Sequence, residues 1–129
     1  MREAVLILED EYLIATQMAG FVAGAGYRVV GPAASSEAAQ ELINETGIDA
    51  ALLDIALAGD ERSLELAARL QAMRIPFGFI TAYPPALLPT AFRGVPFVTK
   101  PVSRGAVVHL LSELLKPLAA RAPSPRSSA

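Results

Sequence analysis

The sequence contains no cysteine and only one histidine among its 129 residues. The absence of cysteine excludes disulfide bonds, thiolate zinc sites and thiol nucleophiles. The single histidine, His109, falls within a predicted helix and has no evident partner in the sequence. We therefore interpret it as a structural or surface residue and not as a metal ligand or a phosphocarrier.

The sequence also lacks a strong excess of either charge and lacks any long apolar run. Its 11 Lys+Arg and 13 Asp+Glu give a net charge of −2, which excludes a strongly basic surface for nucleic acid or anionic lipid. No stretch approaches the roughly 20 uncharged residues of a membrane span, and the apolar run 4–8 is too short for a signal peptide. With 53% hydrophobic residues, the chain is predicted to be a folded cytoplasmic domain without nucleic-acid or membrane partners.

The apolar pattern alternates between short solid runs, which predict buried strands, and a spacing of three and four, which predicts helices. Alternation of this kind favours an α/β fold with a doubly wound, five-stranded parallel sheet. In the third helix we expect Leu64, Ala67, Ala68 and Leu70 to point inward. The predicted strands are 4–9, 27–33, 49–55, 75–81 and 95–100, and the predicted helices are 13–24, 36–46, 62–73 and 103–120.

The connection 82–94 departs from this pattern because it holds three prolines, which prevent an ordinary three-turn helix. We expect a short or disordered fourth helix with at most one turn, around 86–92. The end of the chain is rich in proline, serine and arginine and is predicted to be disordered. The sequence is thus divided into a domain, 1–118, and a tail, 119–129, that is too short to fold alone.

Polar residues lie where the predicted strands end: Glu9 and Asp10, Asp54, Thr81 and Lys100. Ligands bind beyond the carboxyl ends of the strands in an open parallel sheet, so these side chains are expected to converge. Asp54 could act as a carboxylate nucleophile toward a phosphoryl group. Glu9 and Asp10 could hold Mg²⁺, which prefers oxygen ligands. Lys100 would add positive charge and Thr81 a hydroxyl donor for the phosphoryl oxygens.

Each of these residues also has a simpler interpretation. Glu9 and Asp10 could cap the first helix, Asp54 could be a loop acid, Thr81 could be ordinary strand content, and Lys100 could belong to a turn. All five at matching strand ends are less easily explained by coincidence. The neighbouring Glu11 is expected to begin the first helix, where negative charge suits the helix dipole.

The ordered set of an acidic pair, a later aspartate, a threonine and a Lys-Pro pair resembles the receiver domain of two-component response regulators over about residues 3–118. The resemblance implies a flavodoxin-like (CheY-like) fold with Asp54 as phosphoacceptor. It implies Asp10 as a direct Mg²⁺ ligand, Glu9 as a ligand through water and the backbone carbonyl of Ala56 as the third protein ligand. Thr81 and Lys100 would bind the phosphoryl group.

The resemblance also implies a switch region near the last strand. Phe97 stands at the aromatic switch position, although it could instead be a core aromatic residue, and the Lys100–Pro101 bond is expected to be cis. The segments "PFGFITAYPP", "LPTAF" and "VPFVTKPV" resemble stand-alone receivers with a Phe-Ala-Thr-Gly-x-Tyr motif. The glycine and final tyrosine of that motif are replaced here by Ala82 and Pro84, and Ala58 stands where many receivers have proline.

The predicted function is therefore that of a single-domain response regulator. Its phosphodonor would be a histidine kinase or a histidine phosphotransfer protein, and its output would be an unknown downstream protein. It would catalyse only its own phosphorylation and dephosphorylation. The alternatives are an unphosphorylated, degenerate receiver that acts as a binding module, and an aspartate-nucleophile phosphatase. The phosphatase is disfavoured because such enzymes need a second aspartate two residues after the nucleophile as a general acid, and position 56 is alanine.

A homodimer is a further possibility, because the apolar surface of the last helix is broader than a single core-facing stripe of about 100°. The alternative is that neighbouring loops cover the excess. The residues concerned are Val107, Val108, Leu110, Leu111, Leu114, Leu115 and Leu118.

Overall fold

Strands and helices alternate along the chain in the computed structural model, which describes residues 2–55, 61–82 and 88–116. All strand pairs are parallel, and the order across the sheet is β2-β1-β3-β4-β5. The predicted α/β architecture is confirmed. The elements are β1 (Ala4–Leu8), α1 (Tyr12–Gly24), β2 (Arg28–Ala33), α2 (Ser36–Thr46), β3 (Ala50–Ile55), α3 (Glu61–Ala72), β4 (Phe77–Thr81), a 3₁₀ turn (Thr90–Phe92), β5 (Phe97–Thr99) and α4 (Arg104–Leu114).

The inner strands are buried on both faces, as their solid apolar runs predict. Every residue of β1 and of β4 is buried. Consecutive side chains on β1 enter opposite layers: Leu6 packs in the layer under α2 and α3, and Ile7 packs in the layer under α1 and α4. Helices therefore cover both faces of the sheet, which is the doubly wound arrangement.

Two helices begin with serine caps, as their sequences indicate. The Ser35 side-chain oxygen accepts a hydrogen bond from the Ala38 N–H at 3.1 Å at the start of α2. The Ser103 side chain does the same for the Ala106 N–H at 3.2 Å at the start of α4. At the end of α2, Gly47 has a φ of 76°, a value that few other residues adopt easily.

In the described part of the connection between β4 and β5, the chain forms a 3₁₀ turn, Thr90–Phe92. Phe92 in this turn lies edge-to-face against Phe79 of β4, with 6.0 Å between the ring centres. The turn thereby packs against the core layer that contains Phe79. It lies within the predicted range 86–92, while residues 83–87 are outside the part of the chain that is described.

The inward face of α3 agrees in part with the prediction. Ala67 and Leu70 are buried as expected and Leu64 is half-buried against the core, but the prediction is wrong for Ala68, which is exposed. Ser63 and Leu66 are buried as well, so that 63, 66, 67 and 70 follow the spacing i, i+3, i+4, i+7 of a single helix face. Leu13, the first residue of the predicted helix 13–24, is 79% exposed.

The broad apolar surface of α4 is largely used within the molecule. Val107, Leu110, Leu111 and Leu114 are buried in the layer shared with α1, and Leu115 packs against it. This packing favours coverage by neighbouring elements, and the homodimer stays a prediction. Leu118 and the predicted tail lie outside the described residues. Within the described ranges, no helix is long and apolar enough to cross a membrane.

Candidate functional site

Three carboxylates meet at the carboxyl edge of the sheet, where β1 and β3 end side by side. Leu8, the last residue of β1, pairs with Leu53 of β3, so the next residue along each chain segment, Glu9 and Asp54, lies at the same edge. Carboxylate oxygens of Glu9, Asp10 and Asp54 lie within 4.8 Å of one another. The predicted convergence of these acids is therefore observed.

Glu9 is the most deeply placed of the three acids, with none of its side chain exposed. Its Oε2 accepts a hydrogen bond from the Glu11 N–H at 3.1 Å, which ties it to the first turn of α1. Its Oε1 lies 3.2 Å from Lys100 Nζ, an ion-pair distance, but accepts no well-aligned hydrogen bond from any described residue. Glu11 is the N-cap residue of α1, as expected.

Lys100 connects the acids to β5, the outermost strand on one side of the sheet. It follows β5 directly, and its Nζ lies 2.9 Å from Asp54 Oδ1. Its backbone N–H donates to the carbonyl oxygen of Thr81 at 2.8 Å, so the ends of β4 and β5 are held together beside the site. Thr81 is buried at the last position of β4, and the Lys100–Pro101 bond is cis, as predicted.

Burial and charge shift the ionisation of two of these groups. Burial, reinforced by the negative charge of Asp54, raises the pKa of Glu9, although the Glu11 N–H and the Lys100 charge act in the opposite direction. Burial alone would lower the pKa of Lys100, but the hydrogen bond and charge of Asp54, and then those of Glu9, outweigh it and raise that pKa. Lys100 thus stays charged and stabilises the two carboxylates.

The donor set suits a small, hard cation. Mg²⁺ takes oxygen ligands, commonly one or two carboxylates, and keeps several waters. The exposed Asp10 and half-buried Asp54 leave room for such waters, and the buried Oε1 of Glu9 lacks a well-aligned hydrogen bond. The residues present therefore fit Mg²⁺. The expected carbonyl ligand, Ala56, lies outside the described residues.

Phe97 lies on the edge strand and is 44% exposed, so the alternative of a core aromatic residue is wrong. It lines a groove of about 700 Å³ between β5 and α4, together with Pro101, Leu110 and His109. His109 is exposed, as expected of a surface residue. The Phe97 side chain therefore has free space beside it, in the groove between β5 and α4.

Two exposed hydrophobic residues next to the site were missed by sequence reasoning. Tyr12 and Leu13 open α1, two and three residues beyond Asp10, and each is 79% exposed. Helical periodicity alone could not reveal this, because exposure depends on which other elements pack against the helix. Their position beside Asp10 was the available signal.

Comparisons with known proteins agree with this geometry. No protein-family model matches the chain. The receiver (REC) domain of the PhyR response regulator from Erythrobacter litoralis is 32% identical, with a TM-score of 0.76, and the match covers 95% of both chains. The anti-anti-sigma factor PhyR from Bartonella quintana is 36% identical, with a TM-score of 0.75, over 89% of this chain and 48% of that one.

A third relative is the phyllosphere-induced regulator PhyR of Methylorubrum extorquens. It is 34% identical over an alignment 119 residues long, which covers 89% of this chain and 44% of that protein. The chain therefore spans about half the length of the curated relative that it matches. The match with the isolated domain from Erythrobacter litoralis, in contrast, covers nearly the whole of both chains.

Proposed function

This chain belongs to the response-regulator receiver family, and we propose that it accepts a phosphoryl group on Asp54 in a Mg²⁺-dependent reaction. One observation carries the proposal: Asp54 lies at the carboxyl edge of the sheet with Lys100 Nζ 2.9 Å from its Oδ1 and with Glu9 and Asp10 beside it. A nucleophile, a metal-binding pair and a cation are thus assembled at one place. Relatives of this chain are response regulators and not classical enzymes.

In the proposed reaction, a carboxylate oxygen of Asp54 attacks the phosphorus of a phosphohistidine. The new O–P bond forms as the N–P bond breaks, and the electron pair returns to the imidazole nitrogen. Mg²⁺ bound by Asp10, Asp54 and Glu9 would neutralise charge on the phosphoryl oxygens. Lys100, beside Asp54, would contribute a second positive charge to the same phosphoryl oxygens. Attack by water later releases phosphate and restores the carboxylate.

The phosphoryl group would act as a switch through the neighbouring strands. A dianion on Asp54 attracts Lys100 and the hydroxyl of Thr81, and both residues belong to the ends of β4 and β5. An inward shift of Thr81 leaves space that Phe97 could fill. The exposed ring of Phe97 and the groove beside it are consistent with this movement. The switch shifts a population between two arrangements.

The proposed partners follow from the same surface. The phosphodonor would be a histidine kinase or histidine phosphotransfer protein, and the exposed Tyr12 and Leu13, which follow Asp10 closely in the sequence, would offer it apolar contacts. For the output, the relative in Bartonella quintana is named an anti-anti-sigma factor. We therefore propose an anti-sigma factor as the first downstream partner to test, although the chain spans only half of that relative. We also propose that the protein acts in the cytoplasm, as predicted from the sequence.

Intact-mass spectrometry tests the function directly. Incubation with acetyl phosphate and Mg²⁺ is expected to add one phosphoryl group transiently, and chelation of Mg²⁺ should prevent the addition. Asp54→Ala is expected to abolish it. The matched control is Asp49→Ala: Asp49 precedes β3 at the opposite edge of the sheet, where its Oδ2 accepts from the Ala4 N–H at 2.7 Å. This variant should still gain the phosphoryl group.

The same experiment separates the two alternatives. Steady hydrolysis of small phosphoesters would indicate a phosphatase, and no mass change under any condition would indicate a binding module without phosphorylation. A pull-down of an anti-sigma factor with and without beryllofluoride then tests the switch. Capture that is equal in both samples would contradict it.

A further inference from the structure

An irregularity in β2 lies directly beside the acidic site. Between the pairs Leu6↔Val30 and Leu8↔Ala33, β1 advances by two residues and β2 by three. The extra residue is accommodated at Gly31 and Pro32, opposite Ile7. Bulges of this kind often re-aim the residues that follow them, and they are enriched next to functional sites.

The consequence of this bulge is a hydrogen bond to the metal-binding pair. Because β2 carries the extra residue, the carbonyl oxygen of Ala33 accepts from the Glu9 N–H at 2.9 Å. Glu9 is one residue beyond the end of β1, so this bond extends the strand's pairing to the site. The side chain of Glu9 is in turn held by the Glu11 N–H at 3.1 Å and lies 3.2 Å from Lys100 Nζ.

Only glycine fits the bulge. Gly31 has a φ of +94°, and a Cβ placed on it would lie 2.7 Å from Ala33 N and 3.2 Å from Ile7 O. Both are backbone atoms of the two strands that the bulge joins, so neither can turn aside as a side chain would. A side chain at position 31 must therefore displace the backbone of β2 at Ala33, the residue that accepts the Glu9 bond, and it also crowds Ile7 O of β1.

We propose that Gly31 is a positioning residue for the Mg²⁺ site, acting through Ala33 and the backbone of Glu9. This inference rests on the proposed function for the metal, but its first readout does not. Displacement of Ala33 by a side chain at position 31 weakens its hydrogen bond with the Glu9 N–H, and the buried carboxylate then loses its fixed place among Asp10, Asp54 and Lys100. Groups that orient metal ligands typically change metal affinity by about 10- to 100-fold when they are removed.

Gly26 provides a matched control for Gly31→Ala. Its φ of +96° is nearly the same, but a Cβ there meets nothing within 4 Å. Gly26→Ala thus carries the same backbone strain without the collision and lies in the turn after α1. A loss that both variants share reports strain alone, and a loss confined to Gly31→Ala reports the bulge.

The test is hydrogen exchange of the Glu9 amide in Mg²⁺-free protein, followed by a Mg²⁺ titration by calorimetry. Gly31→Ala is expected to lose protection at Glu9 and to bind Mg²⁺ about tenfold more weakly, whereas Gly26→Ala keeps both. Equal effects in the two variants, or unchanged exchange and affinity in Gly31→Ala, would overturn the proposal. Lost protection with unchanged affinity would overturn it as well.

Two further arms keep the test decisive. If Gly31→Ala does not fold, Pro32→Gly keeps the number of residues in the bulge and adds no Cβ, but it removes the proline ring and with it the fixed φ of this position. It is expected to reduce Glu9 protection and Mg²⁺ affinity in the same direction, and no effect on either would overturn the proposal. If the unmodified protein binds no Mg²⁺, the proposed function fails, and exchange at Glu9 alone then decides whether the bulge holds this residue.

Discussion

The inner strands and the edge strand β5 differ in length, in burial and in the charge that they bring to the site. β1 and β3 have five and six residues, almost all buried; Glu9 directly follows β1, and Asp54 is the last but one residue of β3. β5 has three residues, two of them exposed, and it is followed by Lys100. The acids therefore stand on the rigid part of the sheet, and the cation stands on the part with fewest constraints.

The difference between the inner strands and β5 indicates which residues hold the metal ion and which residue moves in the proposed switch. A metal site needs ligands held in place, and buried inner strands provide this by close packing. A residue that must move in response to charge is better placed on a short edge strand with free space beside it. Phe97, 44% exposed over a groove of about 700 Å³, has that space.

The largest expected effect on the free energy of unfolding is found by comparing two phenylalanines that pair across β4 and β5. Phe79 is fully buried, and Phe97 lies beside it in the register but is 44% exposed. Phe79→Ala should reduce the free energy of unfolding by about 3–5 kcal/mol, and Phe97→Ala by less than about 1 kcal/mol. Denaturant titration measures both. Comparable losses would break the distinction between the inner and edge strands.

The next effect concerns the cation at the edge. Lys100→Ala leaves Glu9 and Asp54 without their counter-charge. Loss of one partner of a buried pair costs about 3–5 kcal/mol, but Lys100 and Asp54 keep 18% and 16% exposure, so we expect about 2 kcal/mol. Saturating Mg²⁺ should restore most of this loss, because the ion supplies positive charge to the same acids.

The control for this prediction is Lys116→Ala. Lys116 lies 2.8 Å from Glu113 on the surface, with side-chain exposures of 37% and 44%. Its removal should leave stability unchanged with or without Mg²⁺. A Lys100→Ala variant that behaves like this control would mean that the edge strand is not coupled to the acids.

A smaller effect is expected where α4 packs on the inner strand β4. A Cβ on Gly78 would lie 2.7 Å from Leu110 Cδ2 and 3.2 Å from its Cγ. Leu110 also lines the groove and can turn into it, so Gly78→Ala should cost only about 1 kcal/mol, at the low end for overpacking. In α1, Gly20→Ala meets nothing within 4 Å and should add up to about 1 kcal/mol through helix propensity. Thermal unfolding of both variants should give shifts of opposite sign.

The smallest effect is a pH dependence on the inner side of the site. The pKa of Glu9 is raised by burial and by Asp54, so its folded form binds a proton more readily than its unfolded form. This stabilisation is present below the ordinary value of 4.5 and is lost as the pH rises through the raised pKa. In Mg²⁺-free buffer, the free energy of unfolding of Glu9→Gln should therefore fall less than that of the unmodified protein as the pH rises from below 4.5 through the raised pKa of Glu9, as measured by denaturant titration at each pH. An identical slope in both proteins would show that Glu9 is not desolvated.

The sequence alone was sufficient to predict the sheet, the parallel pairing and the residues at the strand ends. The reason is physical: solid apolar runs and helical spacing encode burial locally, and the carboxyl ends of parallel strands must meet at one edge. The predicted range 36–46 agrees with α2, because helix boundaries depend on capping residues, here Ser35 and Gly47, that act on neighbours a few residues away. Asp54 and Lys100 were found for the same reason as the strands that carry them.

Only the tertiary structure decided which of these residues are fixed and which are exposed. The full burial of Glu9 and the exposure of Leu13, Ala68 and Phe97 each depend on contacts between segments distant in sequence. The Gly31 bulge is a clear example, because its role appears only when Ala33 and Glu9 are seen side by side. Local patterns specify that a residue can be buried, but the packing of distant elements determines whether it is.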